Sequence, residues 1–220
     1  MICKATLTDS IDMSVITSEE IITAPPLRFA TEEEFEAWCN EDTKADYLDG
    51  EIVVMTPESI AHGVDESRFG GLLEIVAGET DAGVVISSGH TQVRLRMGLR
   101  RNPDVIFVRK SRAGIMRENY IDGAPDLVME FVSPESEIRD WQEKFVEYEA
   151  AGVGEYWVVD RRQQRAVAFY LGDDRLYHPI TPKDGKLCSQ VLPDFWVKVE
   201  WFWQTPPLHA SQMAREIGII

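Results

Sequence analysis

The sequence predicts an α/β fold of mixed α+β character, with a mixed β-sheet flanked by helices. Three observations predict it. Apolar runs at 126–132 and 156–160 read as buried strands, and a helical pattern at 136–151 lies between them. That order suggests a right-handed crossover between parallel strands. Tyr47 to Met55 reads instead as an antiparallel hairpin, with Asp49-Gly50 at the turn because glycine accepts positive φ.

The remaining elements follow in chain order. Residues 1–28 show no sustained period and end near Pro25-Pro26, the pattern of an extension or arm. Thr31 with Glu34 three residues later forms a capping box, and a helix is expected to about Asn40, with Phe35 and Trp38 on one face. Thr56-Pro57 ends the hairpin. From His62 to about Ala77, Val64, Phe69, Leu72, Leu73 and Val76 recur at helical spacing, and Gly78 and Gly83 are read as breaks. Strands are expected at 84–87, 92–96 and 104–108, with a loop at 115–122. The helix from Ser136 should turn Ile138, Trp141, Phe145, Tyr148 and Val146 inward, and Gly152 should end it. A polar turn at 161–164 leads to another strand at 166–171. Short strands and an aromatic cluster follow at 176–203, where Phe195, Trp196, Trp201, Phe202 and Trp203 read as core. The principal domain is placed at 29–205 and a tail at 206–220.

Composition limits the partners. No apolar run reaches the roughly 18–20 residues of a membrane helix, and no secretory signal is visible. Cys3, Cys39 and Cys188 are too far apart for a zinc knuckle or disulfide framework, so a reducing cytoplasm is expected, with Cys39 and Cys188 as core residues. The net charge of −16 counts against broad nonspecific binding to polyanions. The charge is uneven, however. Residues 31–51 hold nine acids against Lys44 alone, whereas residues 94–117 hold eight basic groups against Asp104 alone. The basic run is a candidate phosphate-binding surface, with the acidic helix turned away. Basic residues on sheet edges also prevent aggregation, and the two readings stand side by side.

Two acids stand out as candidates for chemistry. Asp104 opens an apolar strand, where an ionised carboxylate is costly unless paired or bound to a metal. Glu130 lies inside Leu127-Val128-Met129-Glu130-Phe131-Val132. Strand alternation puts it on one face with Val128 and Val132, opposite Leu127, Met129 and Phe131. Neither face offers it water. Its alternative role is a structural ion pair. Lys144 follows on the next helix, four residues after Asp140, near the edge of the buried face and within reach of Glu130. Glu51 flanks the hairpin turn, and His62 opens a helix with Glu66 one turn on. Each of these alone has an ordinary surface or capping role. There is no serine-hydrolase elbow, phosphate loop or dinucleotide fingerprint.

Taken together, several stretches resemble the Uma-two-type restriction endonucleases, a branch of the PD-(D/E)XK nuclease superfamily. They are 47–57 with His62, Asn102-Pro103-Asp104-Val105, 127–136, Arg139 to Lys144, and Tyr148 to Asp160 with its Gly-Val-Gly-Glu-Tyr-Trp-Val-Val-Asp run. The resemblance covers roughly residues 29–205. It implies a restriction-endonuclease-like mixed sheet flanked by helices, and Mg²⁺ (Mn²⁺ as the alternative ion) held by Asp104 and Glu130, with the Phe131 backbone carbonyl as a further ligand. Val132 stands where the superfamily pattern has lysine, and the resemblance implies that Lys144 takes that role. Glu51 and His62 are implied at the edge of the site.

The activity so implied is metal-dependent hydrolysis of nucleic-acid phosphodiester bonds, with DNA favoured. A homodimer would suit paired cuts on two strands. The alternative is a catalytically inactive nuclease-fold protein that binds nucleic acid or a protein partner. Val132 and the net charge of −16 speak for it.

Overall fold

The structure, a computed structural model, describes residues 28–39, 43–55 and 59–220. Residues 1–27 of the N-terminal arm, with Cys3, and the Thr56-Pro57 stop lie outside these residues. No described helix is long and apolar enough to cross a membrane.

The first helix, α1 (Glu32–Trp38), starts where the capping box puts it. The Thr31 hydroxyl accepts from Glu34 N–H at 3.2 Å, while Glu34 reaches back to Ala30 N–H at 2.8 Å. The hairpin β1 (Ala45–Leu48) and β2 (Glu51–Val54) turns at Asp49 (φ 45°) and Gly50 (φ 95°), both in the left-handed region that a two-residue hairpin loop needs. Helix α2 (Ile60–Glu79) is capped by Ser59 and runs through Gly78, which does not break it. A glycine costs a helix only about 1 kcal/mol, and Phe69, Leu72, Leu73 and Val76 are all fully buried.

Five strands follow: β3 (Gly83–Ile86), β4 (Gln92–Arg96), β5 (Leu99–Arg101), β6 (Val105–Arg109) and β7 (Tyr120–Asp122). Two of them depart from expectation. β5 was hidden inside the basic run, and β7 lies in the expected loop, where it pairs in parallel with β4. Both are three residues long and too short to show alternation.

The crossover is present. β8 (Leu127–Phe131) pairs in parallel with β9 (Glu155–Asp160), and α3 (Lys144–Ala151) lies between them in the chain, ended by Gly152 at φ 90°. A π-helical turn, Arg139–Glu143, precedes α3. Ile138, just ahead of that wider turn, and Val146 are exposed, contrary to the helical reading. Trp141, Phe145 and Tyr148 do pack inward.

The chain closes with β10 (Arg165–Leu171), β11 (Tyr177–Ile180), β12 (Lys186–Cys188), β13 (Trp196–Lys198) and α4 (Ala210–Ile217). Helix α4 buries Met213 and Ala214 in the same core as α2. Phe195, Trp201 and Phe202 are core residues, as expected, whereas Cys39 and Cys188 are only half-buried.

The main sheet has the order β11-β10-β9-β8-β6-β3. Its two faces carry separate cores. Leu127, Met129 and Phe131 join Phe69, Leu72 and Leu73 of α2 on one side. Val128 and Val132 join Tyr148 of α3 and Val93 of the second sheet on the other. That second sheet has the order β2-β1-β5-β4-β7. The alternation inferred for β8 is therefore the observed one, and it sends Glu130 toward α3.

The same topology corrects the reading of the basic run. Antiparallel pairing of β1 with β5, Tyr47 opposite Arg100, lays the acidic segment against the basic one. Arg100 pairs with Glu32 at 2.6 Å and with Glu36. Arg101 pairs with Asp46 at 2.9 Å and Glu147 at 2.6 Å. Arg96 pairs with Asp49, and Arg94 with Asp122. The acidic helix is not turned away. It neutralises the basic strand, because a buried guanidinium must be paired.

Candidate active site

The candidate site lies at the carboxyl ends of the parallel strands β8 and β9, beside the start of β6. A cavity of about 480 Å³ opens there. Asp104 enters just ahead of β6, Glu130 from the end of β8, His62 from the first turn of α2, and Lys144 from the first residue of α3; all four line the cavity. Open α/β sheets place ligands at strand carboxyl ends because the connecting loops diverge there. The π turn matters as well. Asp140, within it, and Lys144, directly after it, both enter the interior, where they are nearly fully buried.

The contacts are close. The Phe131 N–H donates to Asp104 Oδ2 at 2.7 Å, and His62 Nε2 lies 3.2 Å from the same oxygen. The Lys144 ammonium lies 2.8 Å from Glu130 Oε1 and 3.0 Å from Asp140 Oδ1. The Tyr148 hydroxyl donates to Glu130 Oε1 at 2.8 Å. Lys44 approaches Asp104 Oδ1 at 3.8 Å.

Asp104, Glu130 and Asp140 are exposed by no more than 4%. Burial opposes ionisation of Asp104, but the His62 hydrogen bond, the His62 and Lys144 charges and the Phe131 N–H outweigh it. The carboxyl is held below its usual range. For Glu130, burial wins. Lys144 opposes it, but Asp104 and Asp140 add to it, and the carboxyl is pushed up to about 8. Burial also opposes the Lys144 ammonium, yet Asp140 and Glu130 hold it protonated well above the ordinary lysine range. Glu130 and Asp140 thus share the buried Lys144 ammonium, while Asp104 meets His62 and, at longer range, Lys44. A cation bound here would add a partner for these acids and favour the ionised form of Glu130.

His62, Glu66 and Asp104 each offer a ligand atom, and these atoms lie within 4.8 Å of one another. The donor set of carboxylates and one imidazole fits a divalent cation. Glu130 is outside that grouping, with its Oε1 engaged by Lys144 and Tyr148. Phe131 lines the cavity beside it.

Not every candidate converges. Glu51 is exposed, pairs with Arg28 across an isolated bridge, and does not line the cavity. Its strand turns it to the outer side of the hairpin. Val132, at the lysine position of the superfamily pattern, is packed in the apolar cluster beneath α3. Asp140, Tyr148 and Glu66 gain weight that periodicity did not give them. In the sequence, Asp140 reads as an i, i+4 partner of Lys144 and Tyr148 as an inward apolar position; both lie in stretches that carry the family resemblance, but neither is singled out there as a site residue.

Residues 32–200 match the family model described as Uma2, putative restriction endonuclease. Among solved structures, the chain is similar to a crystal structure of a putative nuclease belonging to DUF820 from Anabaena variabilis ATCC 29413. The TM-score is 0.64 at 14% identity, over 79% of this chain and 97% of that one. At that identity the likeness speaks for the fold. No curated protein matches the chain.

Proposed function

The chain belongs to the Uma2 family, and from that membership we propose that it is a divalent-metal-dependent endonuclease that hydrolyses phosphodiester bonds of nucleic acid, DNA in the first place. The observation that carries the reading is the meeting of Asp104, Glu130 and Lys144 in one cavity, with more buried acid than buried base.

A divalent cation, Mg²⁺ or Mn²⁺, would be held by Asp104 with Glu130 and the Phe131 carbonyl, His62 and Glu66 being the other donors at hand; when bound it supplies a Lewis acid and lowers the pKa of water. The protein groups do the rest. Asp104 is ionised and fixed by the Phe131 N–H, so it needs no reorganisation to act as a ligand. Lys144 stays protonated and therefore acts as a fixed positive charge rather than a base. It is placed to orient a nucleophilic water and to offset charge growing on a pentavalent phosphate. Tyr148 and Asp140 hold the Glu130–Lys144 pair in place. Deep burial keeps bulk water from weakening these interactions.

The test is cleavage of plasmid DNA with Mg²⁺ by the wild-type protein beside Asp104→Ala and Glu130→Ala. Nicking or linearisation by wild type that both substitutions abolish supports the reading, and cleavage that survives both refutes it. A second reading, binding of nucleic acid or a protein partner without catalysis, draws on Val132. Calorimetry with Mn²⁺ separates the two, because an inert scaffold need take up no metal.

A further inference from the structure

The run at 94–117, read from sequence as the phosphate-binding surface, is largely occupied by internal ion pairs, so the surface that meets the substrate must be sought elsewhere. The cavity wall supplies one. Arg139, Arg161 and Arg162 line it together with the buried acids. Each guanidinium is anchored through part of its donor set. Arg161 Nη1 donates to both Asp65 oxygens at 2.9 and 3.1 Å and to the Phe202 carbonyl at 3.0 Å. Arg162 Nη2 is held by Glu137 at 3.2 Å and Asp160 at 3.3 Å. Arg139 Nη1 rests on the Met55 sulfur at 3.2 Å, and its nearest carboxylate, on Asp46, is 3.8 Å away. The Nε and Nη2 of Arg161, the Nε and Nη1 of Arg162 and the Nε of Arg139 make no hydrogen bond among the described residues.

We infer that Arg139, Arg161 and Arg162 form a clamp for the backbone phosphates flanking the scissile bond, an inference that rests on the nuclease reading of the cavity. Guanidinium groups suit this use. Their planar forks match phosphate oxygens in pairs, and anchoring one part beforehand leaves little rotamer freedom to lose on binding. Arg161 and Arg162 follow directly from β9, the strand paired with the one that carries Glu130, so these two arginines and Glu130 share one rigid support.

The experiment measures anisotropy of a fluorescein-labelled duplex and of its single strand, titrated with full-length protein in Ca²⁺ at several salt concentrations. The variants are Arg139→Gln and Arg162→Gln, with Arg96→Gln and Arg117→Gln from the basic run as controls; thermal melts verify that all fold. A variant that no longer neutralises one phosphate should show a slope of log K against log salt shallower by about 0.9 on duplex or about 0.7 on single strand. Affinity should fall about tenfold for each clamp variant at low salt, while the controls stay within about twofold. Clamp variants with wild-type slope and affinity, in a protein whose plasmid cleavage still depends on Asp104, would overturn the clamp alone. Wild type that neither binds nor cuts nucleic acid would overturn the nuclease reading and the clamp with it.

Discussion

The Lys144 ammonium lies 2.8 Å from Glu130 Oε1, although the two residues come from different elements, a helix and a strand. Two residues beyond Glu130, just past the end of β8, Val132 packs in the apolar cluster beneath α3 and brings no charge. A positive charge is thus present beside the acid, delivered across space instead of along the strand. Replacing Lys144 by Met should lower the rate of plasmid cleavage by about 100-fold or more, since the charge would be lost where the phosphate becomes most negative. A rate within threefold of wild type would remove Lys144 from the mechanism.

Metal uptake should depend on pH through Glu130. Its carboxyl is pushed up to about 8, mainly by burial, so near neutrality it is largely protonated without metal. A ligand must be ionised, and binding below pH about 8 therefore expels a proton. Affinity should rise with pH, by at most about tenfold per unit, and level off above about 8. Asp104, held below its usual range, adds nothing in that window. Calorimetry in two buffers of different ionisation enthalpy reads the proton released. A pH-independent affinity between 6 and 8 would mean that Glu130 does not bind the metal.

Asp46 should prove structural. Its carboxylate is fully buried, 2.9 Å from the equally buried Arg101, and accepts the Asn102 N–H at 3.0 Å. Asp46→Ala leaves a guanidinium partly unpaired in the interior. Urea denaturation should find a loss of about 3–5 kcal/mol, tempered by the Glu147 hydrogen bonds that remain to Arg101. A loss under 1 kcal/mol would show that Glu147 alone satisfies the charge.

Glu51 gives the opposite expectation. Half-exposed and paired with Arg28, it lies away from the cavity. Glu51→Ala should change stability by no more than about 0.5 kcal/mol and leave plasmid cleavage within twofold. A larger loss of cleavage without loss of stability would place Glu51 in the site after all.

Adjacent residues alone determined much of this protein. Thr31 with Glu34 caps α1, Asp49-Gly50 turns the first hairpin, and Leu127 to Phe131 forms a strand buried on both faces, because caps, turns and alternation act over a few residues. The isolation of Glu130 among apolar neighbours was equally local, and so was the anomaly of Asp104 in a basic run. The tertiary structure decided what those acids meet. Only the packing of α3 on the sheet, after its π turn, brings Lys144, Asp140 and Tyr148 to Glu130. Only the pairing of β1 with β5 consumes the basic run in ion pairs, and only the parallel register of β8 and β9 carries Arg161 and Arg162 to the cavity. These are charge balances between segments distant in the chain. Charge acts through space, so its partners are set by topology and not by the order of residues.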